Sequence, residues 1–435
     1  MPRSSLVVPA EPGYRPAAVR HSLLGIAMLC LVGGSQYGML ILAGIYLTED
    51  RGASRLSPEA VAGALGIALA TMAIRARGSV RFKLDVTCVW LFAFLILAGL
   101  GEFLRPDVRL GNLSTFFSIG AFYLVGSAIG HDLREGSGKV PFMPLLLAVY
   151  TAWHVWLLLL MIKGDLGFYG DLPGSQLSRL EFRAGYTATE LAIYLGLQLP
   201  ILIYLVHATS APLLKLWAFV LLSVTFSLII ATVSAAAIAA TALVLAIFVV
   251  AKRGLSMRSL SIALVILCLL GAGSMLASRG LADSVSAKLQ DFAFGEGARA
   301  LIYAQLIVDV VENPALGIGK GRFVESNDLA ESEQVIYPHQ NFLGIAAELG
   351  VPAFLLFACF VASALVQFVR GLSRKRELPS SVRMVVVAAL AVFAYQQFRG
   401  LFQDTWLVRE TYLWLGMGLG ALALVDTTPP VRIQR

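Results

Sequence analysis

Residues 216–251 read LWAFVLLSVTFSLIIATVSAAAIAATALVLAIFVVA, with no Asp, Glu, Lys or Arg among them. A helix of about 20 apolar residues crosses a hydrocarbon core of roughly 30 Å. The stretch therefore holds two spans, near 215–232 and 235–251, or one pair bent around Ser234. Lipid offers no hydrogen-bond partner to a peptide group, so a backbone immersed in it must be helical or close into a barrel. A barrel strand alternates apolar and polar residues over about ten positions, and this stretch does not alternate.

Runs of the same kind recur outward in both directions, near 22–47, 58–75, 85–104, 113–131, 142–162, 187–206, 260–277, 341–369, 384–403 and 411–425. Composition agrees: 58% of the 435 residues are hydrophobic and 14% are charged, against about a quarter charged in globular domains. A chain so poor in charge cannot cover a soluble particle of its size. The expected fold class is an all-α polytopic membrane protein with about twelve transmembrane helices and one large outer loop. Residues 1–277 hold nine helices joined by short connections, apart from an outer loop at 163–186. Residues 278–340 form the large outer loop, and 341–435 hold three more helices and a tail. With polar first twenty residues and a long apolar run after them, a cleavable signal peptide is not expected.

The net charge of +7 comes from basic residues scattered between the spans, without the stripe or aromatic interleaving that would suit nucleic acid. They read instead as topology signals, because cytoplasmic loops collect Lys and Arg. Twelve spans place both termini on one side, and that side carries 20 of the 34 basic residues, including the runs at 75–83 and 370–383. Both termini are therefore expected in the cytoplasm, and the 278–338 loop outside.

A loop of some sixty residues in a chain otherwise thrifty with loops is expected to be functional. It contains an amphipathic stretch at 300–311, which suits a helix lying on the membrane surface. Of five histidines, His21, His131 and His207 fall at span ends, and His154 sits among aromatics inside a span. His339 differs: it follows Pro338 at the start of an apolar run, where the positive end of a helix would keep the imidazole neutral and able to accept a proton. On chemistry alone it is either a base or an anchor of the loop.

The outer segments also retain Arg179, Arg183, Arg279, Lys288, Arg299, Lys320 and Arg322, against the usual bias of such loops. Cations kept there ask for an anionic partner, and the planar guanidinium fork suits a diphosphate. Acidic lipid headgroups or nearby carboxylates would serve as partners too. No Asp-x-Asp pair for a metal is present, and Glu331-Ser-Glu333 belongs to a polar run that reads as a solvated face. The glycines of Pro314-Ala-Leu-Gly317-Ile-Gly319-Lys320-Gly321 lack the context of a phosphate-binding loop and suit a turn with close backbone approach.

Taken together, Asn313-Pro-Ala-Leu-Gly317-Ile-Gly319, then His339-Gln340-Asn341-Phe342-Leu343, then Ala347-Glu348-Leu349-Gly350, resemble the C-terminal signature of bacterial O-antigen ligases and the related polymerases. Gly297-Ala-Arg299 with Tyr303 resembles the family's arginine-led helix. Arg183-Ala-Gly185 with Leu191-Ala192 and Tyr194-Leu195 resembles a second arginine motif. Departures are Ala353, Glu190, and Thr232-Val-Ser234 where many relatives show Ser-Arg-Gly. The likeness spans about residues 180–425.

The resemblance implies a GT-C-like membrane glycosyltransferase of the bacterial inner membrane, with its active site facing the periplasm. The donor would be O-antigen on undecaprenyl diphosphate, the acceptor lipid A–core, and the transfer inverting, without cofactor, metal or ATP. His339 would be the general base. Arg183, Arg299, Lys320 and Arg322 would bind the diphosphate, with Arg279, Gln340 and Asn341 as further candidates. Membrane lipids are expected partners and nucleic acid is not. An O-antigen polymerase is the nearest alternative, but none of Arg183, Arg279, Arg299 or Arg322 has the glycine eleven positions on that polymerase loops carry. A protein-glycosylating transferase would usually have a larger C-terminal periplasmic segment. A transporter or flippase, with Glu348, Arg399, Gln396 and Gln397 as its intramembrane polar residues, would be expected to show repeated halves, and none are visible.

Overall fold

The computed structural model describes residues 85–135, 143–171, 178–182, 188–232, 234–253, 298–323, 340–373 and 378–422. The spans expected at 22–47, 58–75 and 260–277 lie outside them. So do His339, Arg183 and Arg279.

The described helices are α1 (Val86–Phe103), α2 (Leu110–Glu135), α3 (Met143–Lys163), α4 (Ala188–Ala208), α5 (Pro212–Ala231), α6 (Ala235–Arg253), α7 (Ala298–Glu312), α8 (Asn341–Leu349), α9 (Val351–Ser373), α10 (Ser380–Gly400) and α11 (Arg409–Leu422). Seven of these, α1 to α5 with α9 and α10, are long and apolar enough to cross a membrane. Each begins or ends for a local reason. The Asp85 carboxylate accepts from the Cys88 amide at 2.7 Å and caps α1. Pro212 opens α5 at the first turn, where its missing N–H has no carbonyl to satisfy. The uncharged stretch at 216–251 divides into α5 and α6 around Ser234, which is two helices rather than one.

Two expectations change. The run at 341–369 is not one span but α8 followed by α9, because Gly350 breaks the helix at φ 90°. The second concerns the connection after α3, expected as a plain loop within the all-α architecture. After α3, the described residues of the 163–186 connection form an antiparallel hairpin, β1 (Leu166–Asp171) with β2 (Ser178–Phe182), pairing Leu166 with Phe182 and Phe168 with Leu180. Gly164, at φ 76°, supplies the turn out of α3.

Helix α10 lies at the centre and packs against α11, α6, α4 and α9. Tyr395 crosses from α10 to α4, where its hydroxyl donates to the Ala192 carbonyl at 2.7 Å and its ring fills the space over Gly196. The tightest pair is α2 with α11. A Cβ at Gly126 would stand 2.0 Å from the Leu413 carbonyl oxygen, and one at Gly130 would stand 2.1 Å from that of Met417. From the other side, Gly416 and Gly420 meet the carbonyls of Tyr123 and Ser127. Lipid tails are as apolar as leucine, so membrane helices associate through such close backbone packing. Apolar side chains along α1, α3, α5 and α9 face outward, among them Ile96, Leu158, Phe219 and Leu355.

Candidate active site

Residues 313–323, which follow α7, form a turn that docks on the C-terminal end of α8. Gly317, Gly319 and Gly321 take φ values of 66°, 108° and 72°, open to glycine and strained for other residues. Gly317 also sits against the Glu348 backbone, 2.4 Å from where a Cβ would lie. The last carbonyls of a helix lack partners within it. Here the Ile318 and Gly319 amides donate to Ala347 O and Glu348 O at 2.9 and 2.8 Å, and the Val351 amide donates to Pro314 O at 2.8 Å. Ile302 and Leu306 of α7, Ala347 of α8 and Phe323 form a small core beneath, with Val310, Ile318 and Leu343 packed on it.

This arrangement fixes the direction of both helices. Each runs into the same turn with its C-terminal end, and Ile302 and Leu306 of α7 share a core with Leu343 and Ala347 of α8. Arg299 is in the first turn of α7, and His339 directly precedes Gln340, the N-cap of α8. At 1.5 Å per residue, α7 is about 22 Å long and α8 about 13 Å.

Lys320 is 8% exposed. Its ammonium donates to Glu348 Oε2 at 3.0 Å and Asp404 Oδ2 at 3.2 Å, and stands 5.3 Å over the Trp406 ring. Burial works against its charge, but Asp404 and Glu348 outweigh that and hold the pKa above the usual lysine value. The second Glu348 oxygen accepts from the Gly321 amide at 2.9 Å. Arg322 reaches the other way. It donates to the Asp107 carboxylate at 2.6 Å, to the Asp107 carbonyl at 2.8 Å and to Glu102 at 3.4 Å. The bond from Arg322 draws the Asp107 carboxyl below its usual pKa. Each of these expected phosphate-binding cations is thus already held by two carboxylates.

Gln340 caps α8 by accepting from the Leu343 amide. Asn341 is buried and ties α8 to the 401–408 connection. Its Oδ1 accepts from Thr405 N at 2.7 Å and Trp406 N at 3.2 Å, and its Nδ2 donates to Thr405 Oγ1 at 3.2 Å. Gly400 leaves the room, since a Cβ there would lie 2.1 Å from Asn341 Nδ2. The backbone next to His339 is therefore set by two side chains of the same motif. Arg299 lies in α7 by its backbone alone; Lys320 and Arg322 stand in the turn at the C-terminal end of α8, Gln340 and Asn341 at its N-terminal end, and the 404–406 connection touches Lys320 through Asp404 and Asn341 through Thr405 and Trp406.

Sequence reasoning did not find Asp404, Glu102, Asp107 or Arg105, because their partners lie far away in the chain. Glu348 stood in a quoted motif but was weighed only as an intramembrane polar residue. His154 is a hydrogen-bonded core histidine: Nδ1–H donates to the Tyr150 carbonyl at 2.7 Å and Nε2 accepts from the Thr225 hydroxyl at 2.8 Å. Arg399 is fully buried and donates to Ser234 Oγ at 2.9 Å and to Gln403 Oε1.

Several apolar spans, with a charged turn folded over the ends of two helices, define a multi-pass membrane protein with a polar site at one end of its bundle. Residues 217–358, which run from α5 into α9, match a family model described as O-antigen ligase. The match covers about a third of the chain and supports a likeness to the O-antigen ligase family over that region. The match supports a glycosyl-transferring membrane enzyme of the ligase or polymerase type, with a lipid-linked glycan and lipid A–core as partners in general. No curated protein matches the chain.

Proposed function

We propose that the protein is an O-antigen ligase of the bacterial inner membrane. It transfers a glycan from undecaprenyl diphosphate to a sugar hydroxyl of lipid A–core on the periplasmic face. His339 takes the proton of the acceptor hydroxyl. The acceptor oxygen bonds to the anomeric carbon from the face opposite the diphosphate, and the bond from that carbon to the diphosphate oxygen breaks. Undecaprenyl diphosphate leaves with the electron pair, and the configuration inverts. Arg183 and Arg299 bind the diphosphate and stabilise its growing charge. Lys320 and Arg322, bonded as they are to carboxylates, take a structural part in the same turn, and Gln340 and Asn341 hold the backbone beside the base. Arg279 remains a candidate for the diphosphate.

The observation that carries this reading is the pairing of α7 with α8. Two helices packed on each other through a shared turn, one with Arg299 in its first turn and the other preceded by His339, suit an anion beside a base. The diphosphate is a good leaving group, and the sequence offers no Asp-x-Asp pair, so transfer is expected to proceed in EDTA and without ATP.

The test is reconstitution of the full chain in liposomes with a polyprenyl-diphosphate-linked glycan and lipid A–core. Glycosylated lipid A–core with an inverted linkage is the expected product. Repeat units joined to one another on the lipid carrier, with the acceptor untouched, would make the protein a polymerase. Donor that crosses the bilayer chemically unchanged would make it a flippase.

A further inference from the structure

The 316–318 strip is bonded on both of its edges. The Ile318 and Gly319 amides donate to α8, and the carbonyls of Leu316, Gly317 and Ile318 all turn to one side chain from elsewhere in the chain. Arg105, just past the end of α1, donates to them at 2.9, 2.5 and 2.7 Å. Both terminal nitrogens of the guanidinium take part, Nη1 on Ile318 O and Nη2 on Leu316 O and Gly317 O, a planar two-pronged grip that the single nitrogen of an ammonium does not reproduce. The neighbourhood reinforces the grip. A Cβ at Gly319 would meet Arg322 Cδ at 2.6 Å and Arg105 Cζ at 3.1 Å, so both guanidinium-bearing side chains lie over a residue with no side chain of its own. Asn112 at the start of α2 adds a bond to Lys320 O at 3.0 Å.

We propose that Arg105 is a positioning residue for glycan transfer: by gripping three consecutive carbonyls of the turn between α7 and α8, it sets how the helix that carries Arg299 in its first turn stands against the helix that follows His339. Arg105 touches neither substrate. It acts through the turn, and α1 thereby becomes part of the catalytic apparatus although it lies outside the matched region. The kinetic half of this inference rests on the transferase reading above. The structural half does not.

Two measurements on Arg105→Ala in full-length protein in nanodiscs test it. The first is steady-state transfer per folded molecule. A group displaced by about 1 Å can cost on the order of a hundredfold in rate, so kcat is expected to fall roughly 10- to 100-fold. The KM for the polyprenyl-diphosphate donor should move less than about threefold, and the pH profile should keep its shape, because the titrating group is unaltered. The second is hydrogen–deuterium exchange, in which amides of residues 315–322 and 343–351 should exchange faster than in the wild type. Arg105→Lys, which keeps the charge and most of the volume, covers an alanine variant that fails to fold, and should restore neither kcat nor protection in full. Wild-type kcat and wild-type protection in either folded variant would overturn the proposal. Faster exchange with unchanged kcat would overturn it too, since the grip would then hold scaffold alone. If the wild-type chain transfers no glycan, the functional reading fails, while the exchange measurement still decides whether Arg105 orders the turn.

Discussion

At the scale of the residue, Lys320 decides how the site is held. Two carboxylates and one ammonium lie together with little water, and removing one partner of a buried charge pair typically costs about 3–5 kcal/mol. Lys320→Met is therefore expected to lower the thermal unfolding midpoint sharply, because Glu348 and Asp404 would face each other without their cation. Adding Glu348→Gln should recover much of the loss, and a double variant as unstable as Lys320→Met alone would argue against the triad. The raised pKa of Lys320 means that it stays charged across the pH range of any transfer assay, so a limb in the pH–rate profile belongs to another group. For His339→Ala, loss of proton transfer predicts a rate lower by roughly 10²–10⁴ with donor affinity nearly unchanged. Arg299→Ala should weaken donor binding as well as rate, and Arg299→Lys should restore only part, since lysine lacks the two-pronged geometry. Full activity in a well-folded His339→Ala protein would end the assignment of the base. His339 and Arg299 could be singled out as candidates because their motifs are short and local. Asp404 and Arg105 were not, since a charge that acts across the fold leaves no trace in its own neighbourhood of sequence.

At the scale of the element, the chain's hydropathy located the described spans closely, and it missed what depends on single glycines or on pairing between segments. The stretch at 341–369 reads as one apolar run, yet Gly350 breaks it, because α8 must turn its last carbonyls to the amides of residues 318 and 319. The hairpin of β1 and β2 was invisible because six residues of mixed character carry little periodicity. The helix pair α2 and α11 shows the same point. Gly126 with Gly130, and Gly416 with Gly420, repeat at four-residue spacing and let the two backbones touch. Gly126→Val or Gly416→Val should force the helices apart and lower the thermal midpoint of the detergent-solubilised protein by several degrees. Gly111→Ala, at a site with nothing within 4 Å of the added carbon, should not. Equal stability of all three variants would refute the close-packing account.

At the scale of the whole molecule, orientation is the remaining prediction, and it follows from charge rather than from packing. With 20 of 34 basic residues on the side of both termini, an alkaline-phosphatase fusion near Glu325 should be active and one near Arg376 inactive. The reverse pattern would turn the protein over and put the proposed site in the cytoplasm. The contact between α2 and α11 has a bearing on how the protein is made. Helix α2 is synthesised early and its partner among the last, since α11 spans Arg409–Leu422. Until the ribosome has delivered those residues, the glycine face of α2 stands open in the bilayer with no backbone against it. A message cut short before codon 409 should thus yield a chain that inserts and then falls to membrane proteases, and supplying residues 401–435 as a separate polypeptide should rescue it.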